Sequence, residues 1–594
     1  MLTKKQLHAD LCVIGGGMAG ICAAVSAARN GCSVVLMHER PVLGGNASSE
    51  VRMWVCGAQE ENARETGIIE EIALENYYRN PTKNFYLWDT VLYDFVIRAQ
   101  NITLLLNCTC MDAETETGDF EDGRSVRIKN VSGYQMTTQT MYEVCCKNYA
   151  DCSGDSILAP LTGAEFRWGR ESADEFGEDT SVQVPDRKTM GMSCLLQGRE
   201  TTKPVAFTPP KWAKKLTKED FGGRRMPDLK YTGENFWYLE LGGEGDTIAD
   251  TEEVARDLIP LAIGTWDFIK NSGNYSTENW DLDFLGFLPG KRESRRMMGE
   301  YIITERDIAE NRIFEDTVAY GGWPIDDHYP GGFYHPGPPN HSDQTTCPYC
   351  IPYRSLYSKN VSNLFFAGRN ISMTHMAMSS IRVMATCAVM GEAVGAAAAL
   401  AAQNHLTPHG VYREKLHELQ NTLANHDCFL PYFTREVSEV CKETPIEHGA
   451  DSLKNGLDRP QKIYPGVECG CAVQNGEALA YQFTSPQSVK SVHITFDSDL
   501  NRETLPGDSC ERYHLTRCNV FLDSPQFYVP KTLCKHFKLE LTDINGDTNT
   551  IEETCNLKRS YHIPVEKELS SIRLIPMGNW GDTKNTTIFS FDFQ

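Results

Sequence analysis

Ala9-Asp-Leu-Cys-Val-Ile-Gly-Gly-Gly-Met-Ala-Gly20 is the stretch that decides the fold of this chain. A short apolar strand runs straight into Gly15-x-Gly17-x-x-Gly20. A small-residue helix follows, Ile21 to Asn30, and then a second apolar strand, Ser33 to Met37, that leads to Glu39. Each part suits the binding of a dinucleotide. Gly15 permits the tight turn, Gly17 lets the backbone approach a pyrophosphate, and Gly20 lets the helix pack against the strand. Met18 and Ala19 stand at the helix start, whose free N–H groups and positive dipole end favour phosphate. Glu39 lies about 20 residues beyond the last glycine, where an acid accepts hydrogen bonds from ribose hydroxyls. An acid there, in place of a basic residue, disfavours a 2′-phosphate and so NADP. Glycines spaced in this way also serve ordinary turns. The whole strand–glycine–helix–strand–acid unit is the specific signal.

The residues after Glu39 separate NAD from FAD. Arg40-Pro-Val-Leu-Gly44-Gly45-Asn46 follows at once. In flavoproteins of the glutathione-reductase and fumarate-reductase type, an acid followed shortly by a Gly-Gly pair carries the chain under the pyrophosphate toward the flavin. An NAD-only Rossmann domain has no need of that second pair; the alternative is a simple turn. Ile102 to Cys108 reads as a buried strand and Met141 to Cys146 as another, with a polar hairpin, Thr115 to Lys129, between them. Tyr149-Ala-Asp-Cys-Ser-Gly154-Asp155 then takes a strand into a Gly-Asp turn, where many flavoproteins place another backbone contact to the nucleotide.

Composition excludes several function classes. The 594 residues exceed one core, so several domains are expected. A net charge of −23, with no basic run, argues against nucleic acid and anionic membrane as partners. The N-terminus enters the first strand at once, which leaves no room for an apolar signal segment. The most apolar helical stretch, Met376 to Ala402, carries Arg382, Glu392 and many alanines, which suits a buried helix better than a membrane span. The 21 cysteines are odd in number and scattered, and read as reduced thiols of a cytoplasmic protein. Cys347-Pro-Tyr-Cys350 lacks both a thioredoxin-type βαβ unit and a second pair for zinc, so no metal is expected.

The pattern along the chain implies an α/β protein: an FAD/NAD(P)-binding Rossmann-type fold with an inserted α+β substrate domain and a C-terminal all-β sandwich. The expected boundaries are 1–160 for the first part of the FAD-binding domain, 161–346 for the substrate domain, and 347–403 for the returning FAD-binding segment. A helical connector, 404–459, and the sandwich, 460–594, complete the chain. Trp, Tyr and His crowd the insertion at Phe236-Trp-Tyr, Trp266, Trp280 and Tyr329 to Pro339, as a substrate-binding cap or as plain core. Val361 to Arg369 is the returning strand, and Tyr412 to Ala424 a second helical pattern. Ser491 to Phe496, Ser571 to Pro576 and Thr587 to Phe593 are strands of the sandwich.

Assembled, these segments resemble the bacterial FAD-dependent oxidoreductase family that is distantly related to fumarate reductase and heterodisulfide reductase flavin subunits. The resemblance covers about residues 8–435. It rests on Gly15 to Gly20, Leu43-Gly-Gly-Asn-Ala-Ser48, Asp151-Cys-Ser-Gly-Asp155, Pro289-Gly-Lys-Arg-Glu-Ser-Arg-Arg296, Ile351-Pro-Tyr-Arg-Ser-Leu356 and Asn363 to Ser372. It implies one FAD and a mixed α/β substrate domain, but no single substrate. Leu43 to Val51 contains no histidine, so the covalent tether often found in the fumarate-reductase branch is not expected. The sandwich resembles galactose-binding-like jelly rolls.

The resemblance also suggests roles. Gly368, Arg369 and Ser380 join Cys108, Gly154 and Asp155 as cofactor contacts. The last helix start is expected to face the flavin pyrimidine, with Arg382 supplying charge and His375 exchanging a proton near neutral pH. Arg52 is expected in the same pocket. Arg292, Arg295 and Arg296 sit at helix-like spacing, either to clamp a carboxylate or to pair with Glu293 and Glu300 on a solvated face. Tyr353 is a substrate-side residue and, with His328 and His335, a reserve proton carrier. The expected activity is hydride transfer between flavin N5 and a small polar substrate, a carbohydrate or a carboxylate or hydroxy acid. No second GxGxxG unit is visible, so no pyridine-nucleotide domain of the disulfide-reductase kind is expected; electrons are expected from the substrate or another protein, with an unidentified electron acceptor as partner. The alternatives are a flavin-containing binding or structural protein and an NAD-dependent dehydrogenase without flavin.

Overall fold

The computed structural model describes residues 3–120, 123–222, 226–227, 236–502, 516 and 520–594. Its contacts divide the chain into two compact units, one of residues 1–58, 82–416 and 513–526, the other of residues 59–81, 417–512 and 527–594.

The first unit is built on a mixed sheet. Strand β1 (Thr3–Ile14) ends in the fully buried run Leu11-Cys-Val-Ile14 and passes through the glycines into helix α1 (Met18–Arg29). Strand β2 (Val34–Met37) follows and lies parallel to β1. Helix α2 (Phe85–Ile97) leads to β3 (Ile102–Leu105). The stretch read as one strand to Cys108 is two, since β4 (Cys108–Thr117) starts a hairpin with β5 (Val126–Gln135). Strand β6 (Thr140–Asp151) then runs parallel to β1 over its whole length. The sheet order is β3-β2-β1-β6-β5-β4. Parallel strands bury both faces, which is why the end of β1 and all of β2 are continuous apolar runs and the last four residues of β6 are buried.

The segment after β6 is an α+β insertion. Its core gathers Trp266, Trp280, Phe221, Phe236, Phe268, Leu258 and Leu261 around helix α3 (Thr251–Asn271), so most of its aromatics are packing. Three short strands, Met192–Ser193, Glu240–Leu241 and Gly290–Lys291, form a small antiparallel sheet. Strand β7 (Ile325–His328) pairs antiparallel with Asn340–Asp343. The chain returns through β8 (Leu364–Phe366), parallel to the end of β6.

The long apolar helix expected after it is two helices, α4 (His375–Ile381) and α5 (Met384–Asn404), separated by extended backbone at Val383. By length and composition α5 passes as a membrane span, yet 94% of its apolar window is buried. It packs on α1 through glycines: a Cβ at Gly391 would stand 2.1 Å from the Ala19 carbonyl, and one at Gly395 2.3 Å from that of Ala23. Such contacts between backbones need small residues, and a buried core helix is the result. The pattern read at Tyr412 to Ala424 is part of helix α6 (Pro408–Asn425).

The second unit is mostly antiparallel sheet. Strands β9 (Cys471–Gln474), β10 (Leu479–Phe496), β11 (Cys534–Asp543), β12 (Thr548–Glu553), β13 (Ser560–Asn579) and β14 (Asn585–Phe593) run in the order β9-β14-β10-β13-β11-β12. Register shifts break the pairing of the two long strands, β10 and β13, between Gln482 and Gln487. Bends of this kind let long strands serve two layers, and the sheet fits a β-sandwich. Residues 59–81, which local pattern groups with the nucleotide-binding part, belong to this unit. Their helix, Ile68–Arg79, buries Glu70, whose carboxylate receives both Arg502 Nη atoms at 2.8 Å.

Candidate functional site

A cavity of about 360 Å³ opens in the first unit at the C-terminal ends of β1, β2 and β6. This is where open α/β sheets place their ligands. Gly15, at φ +103°, makes the turn out of β1; a Cβ there would meet the Cys152 carbonyl at 2.4 Å. Gly20 has a different constraint, because its Cβ would fall 1.8 Å from the Gly15 carbonyl, so helix and strand touch only if it is glycine. Gly17 caps α1 and faces open space: a Cβ on it would have only Gly45 Cα as a neighbour, at 3.9 Å. Gly44 binds back through its N–H to the Gly16 carbonyl at 2.8 Å, and Gly44 and Gly45 both take positive φ. Two glycine turns thus bring bare backbone to one wall.

Met18, Ala19, Glu39, Arg40 and Asn46 line the same wall. Glu39 is half exposed, with Arg40 Nε 3.4 Å from its carboxylate. His38 is buried and props the turn: its Nδ1 accepts from the Gly16 N–H at 3.0 Å, and its Nε2 donates to the Val42 carbonyl at 3.0 Å. Gly154, Asp155, Gly368 and Arg369 line the cavity as well. Asp155 receives Lys291 Nζ at 2.8 Å, Arg369 Nη2 at 2.6 Å and the Ser294 hydroxyl at 2.8 Å. Burial works against its charge, but Arg369 and Lys291 outweigh it and hold the carboxyl well below its usual range.

Beyond the glycine wall lies a second set of side chains. Trp54 and Trp237 meet edge to face at 5.5 Å, beside Val383 at the start of α5. Arg292 and Arg382 also line the cavity. Arg292 donates to Ser193 Oγ and to Glu240 Oε1, both at 2.9 Å. Arg382 donates to the Asp326 carbonyl at 2.9 Å and to its carboxylate at 3.1 Å.

Several residues expected here stand elsewhere. Arg52, in left-handed backbone at φ 62°, turns out of the wall that its neighbours Val51 and Met53 form. Its guanidinium binds Asp283 at 2.9 Å and Gln197 at 3.1 Å, over the ring of Phe284. Tyr353 is fully buried, its hydroxyl donating to the Pro408 carbonyl at 2.9 Å. Ser380 bonds the Tyr349 hydroxyl and the Trp323 carbonyl, and Cys108 is buried in β4; neither lines the cavity. The arginine trio is not helical. Arg292 follows a short strand, Arg295 turns to the Asp155 carbonyl at 3.3 Å, and Arg296 is buried against Glu171 at 2.7 Å and Glu293. Glu293 is fully buried and so offers no solvated face. His335 stacks on Tyr329 at 4.1 Å outside the cavity wall.

His375 is 1% exposed and also off the wall. Its Nδ1 lies 2.9 Å from Glu293 and its Nε2 3.0 Å from Asp327. Burial lowers its pKa, but the two carboxylates more than reverse that and raise it to about 10. It is an imidazolium at neutral pH, so the expected exchange of protons near neutrality does not suit this setting. Trp237, from the aromatic Phe236-Trp-Tyr run, is on the wall, and Lys291, His38, Trp54 and Ser193 are wall residues that local sequence does not single out. Lys291 lies inside the Pro289 to Arg296 motif; the others carry no short-range signal.

Residues 10–423 match the family described as FAD dependent oxidoreductase, and the chain belongs to that family. Among solved structures it is similar to Escherichia coli quinol fumarate reductase FrdA, at 11% identity over 71% of this chain and 75% of that one, with a TM-score of 0.28. It is similar also to the Mycobacterium smegmatis Sdh1 complex, at 14% over 67% and 69%, TM-score 0.27. A third is the p-nitrophenol 4-monooxygenase PnpA of Pseudomonas putida, at 10% over 70% and 86%, TM-score 0.30. No curated protein matches the sequence.

The protein is thus an FAD-dependent oxidoreductase, and the cavity fits the cofactor. The cradle that a Cβ on Gly17 would fill, the free start of α1 and the acid at Glu39 are what a pyrophosphate and a ribose require.

Proposed function

We propose that the enzyme transfers a hydride between FAD and a small hydroxylated carboxylate. The observation that carries this reading is the presence of Arg292 and Arg382 on the wall of the cavity that holds the glycine cradle. When bound, FAD would supply a two-electron acceptor or donor. A guanidinium fork matches a carboxylate bidentately, and a buried fork keeps its aim when its remaining N–H groups are already fixed. Glu240 and Ser193 fix Arg292, and Asp326 fixes Arg382. Trp54 and Trp237 supply an apolar wall that keeps water from the reacting atoms. The same two indoles favour a second reading, a neutral carbohydrate lying on their faces. The antiparallel unit we read as a galactose-binding-like sandwich, supported by its two long interrupted strands. An electron acceptor yet to be identified completes turnover.

The test is anaerobic bleaching of the bound flavin against panels of hydroxy acids and neutral sugars. Bleaching by acids, with an apparent KM raised in Arg292→Met and Arg382→Met, is the expected result. Bleaching by neutral sugars alone selects the carbohydrate reading.

A further inference from the structure

Strand β7 reads Ile325-Asp-Asp-His328, and period two sends alternate side chains to opposite faces. Asp327 goes one way, to His375. Asp326 and His328 go the other, toward the cavity arginines. His328 is 3% exposed. Its Nδ1 lies 2.8 Å from Glu240 Oε1, and its Nε2 lies 3.2 Å from Asp326 Oδ2. Glu240 is the partner of Arg292, and Asp326 is the partner of Arg382. The five side chains therefore alternate in sign along one line, guanidinium, carboxylate, imidazole, carboxylate, guanidinium, buried at Arg292, Glu240 and His328 and partly exposed at Asp326 and Arg382. Asn340 also steadies Asp326, its Nδ2 donating to Oδ1 at 2.6 Å.

We propose that His328 is a positioning residue for the arginine pair: by bridging Glu240 and Asp326 it joins two separate forks into one anion site. The proposal rests on the carboxylate reading above. Its physical basis is charge as well as geometry. With a neutral imidazole, two guanidinium groups and two carboxylates cancel, and the site has no net attraction for an anion. With an imidazolium one positive charge remains, in a place where low dielectric makes it count. The charged groups around His328 are Glu240, Asp326, Arg292 and Asp327, the last already paired with His375. Burial and Arg292 oppose its protonation, and the two carboxylates outweigh them, so its pKa stands above the ordinary histidine value. Were the ring neutral, Glu240 would lose its ion-pair contact and Asp326 the charge on its hydrogen-bonded neighbour, and the anchor that the two arginines share would weaken.

The experiment uses the FAD-loaded protein with glycolate as probe and ethylene glycol as its uncharged counterpart, read by perturbation of the bound flavin's visible spectrum. His328→Gln and His328→Asn keep a polar side chain without the charge. Both are expected to retain FAD and to weaken glycolate by about 10- to 100-fold, the scale on which a supporting group acts through the residues it orients. Wild-type affinity is expected to fall as pH rises and His328 loses its proton, and the variants to lack that fall. In double variants the loss caused by His328→Gln should shrink on an Arg292→Met background, as coupled residues require. Unchanged glycolate affinity in both variants overturns the proposal. So does weakened affinity with the fall at rising pH intact, or loss of flavin from both variants, since each makes His328 a structural residue only. A wild-type protein that does not prefer glycolate to ethylene glycol removes the carboxylate reading, and the proposal falls with it.

Discussion

Gly15 and Gly17 are glycines for different reasons, one for its turn and the other for the space beside it. Gly17 has extended backbone that any residue adopts, and a Cβ on it points at open cavity. Gly17→Val should therefore fold and yet purify without FAD, because the branched side chain fills the space the pyrophosphate needs. Far-UV circular dichroism with flavin absorbance checks this, and a fully yellow variant would sink the assignment. His375 makes the complementary point about charge. Its raised pKa means that it stabilises the fold fully below the unfolded value near 6.5, and that the contribution is lost as pH rises through about 10. His375→Asn leaves Glu293 and Asp327 buried with one cation fewer, so stability should drop by about 3–5 kcal/mol at neutral pH. Denaturant melts between about pH 7 and 10.5 should show wild-type protein weakening along that range, with the variant flat. The proton step of turnover should show no neutral limb that belongs to His375. A histidine next to the right motif gives no hint in sequence of the two carboxylates, Glu293 and Asp327, that arrive from distant segments.

At the level of elements, legibility follows the range of the forces involved. The strand, glycine turn and first helix are fixed by neighbours within a few residues, and Gly15, Gly17, the Gly-Gly pair and the Gly-Asp turn come together on one cavity. The break between α4 and α5 is invisible in sequence because Ile381-Arg-Val-Met contains no glycine or proline to mark it. The arginine trio misleads for a related reason: Gly290–Lys291 becomes a strand only because Met192–Ser193, far away in sequence, pairs with it. Arg52 sits in left-handed backbone that few non-glycine residues adopt, so no pattern rule points its side chain away from the cavity. The packing of α1 on α5 is, by contrast, encoded in small residues. Gly391→Val should force the helices apart, since even the first added carbon lies 2.1 Å from the Ala19 carbonyl. Overpacking of this kind costs about 1–3 kcal/mol, occasionally more. Because Ala19 belongs to the first turn of α1, which lines the cavity, FAD affinity should fall together with the melting temperature. A variant that melts earlier but holds FAD as tightly as wild type would show that the first turn of α1 is set by β1 alone.

For the whole molecule the decisive fact is that the second unit is not a contiguous tail. It is assembled from residues 59–81 together with 417–512 and 527–594. Local pattern assigns 59–81 to the nucleotide-binding part because a short helix looks alike wherever it packs; its membership is decided by partners some four hundred residues later. Arg459 donates to the carbonyls of Asn62, at 3.1 Å, and Arg64, at 2.8 Å. Arg502 grips Glu70, which is 1% exposed, through both of its oxygens. A chain ending near Gly456 keeps residues 59–81 but lacks both arginines. Glu70 then either stays buried without its hydrogen-bonded cation, with only Arg64 nearby and at a cost of up to about 3–5 kcal/mol, or drags the helix Ile68–Arg79 into water. Either way that helix has lost most of what fixes it, as short helices depend on packing more than on propensity. The truncated protein should be cut by protease within residues 59–81 under conditions where the full chain resists. Arg502→Met in the full chain should reproduce part of that sensitivity, since it removes one partner and leaves the sheet whole. Equal protection of residues 59–81 in the truncated and full-length proteins would mean that this segment is held without its distant arginines.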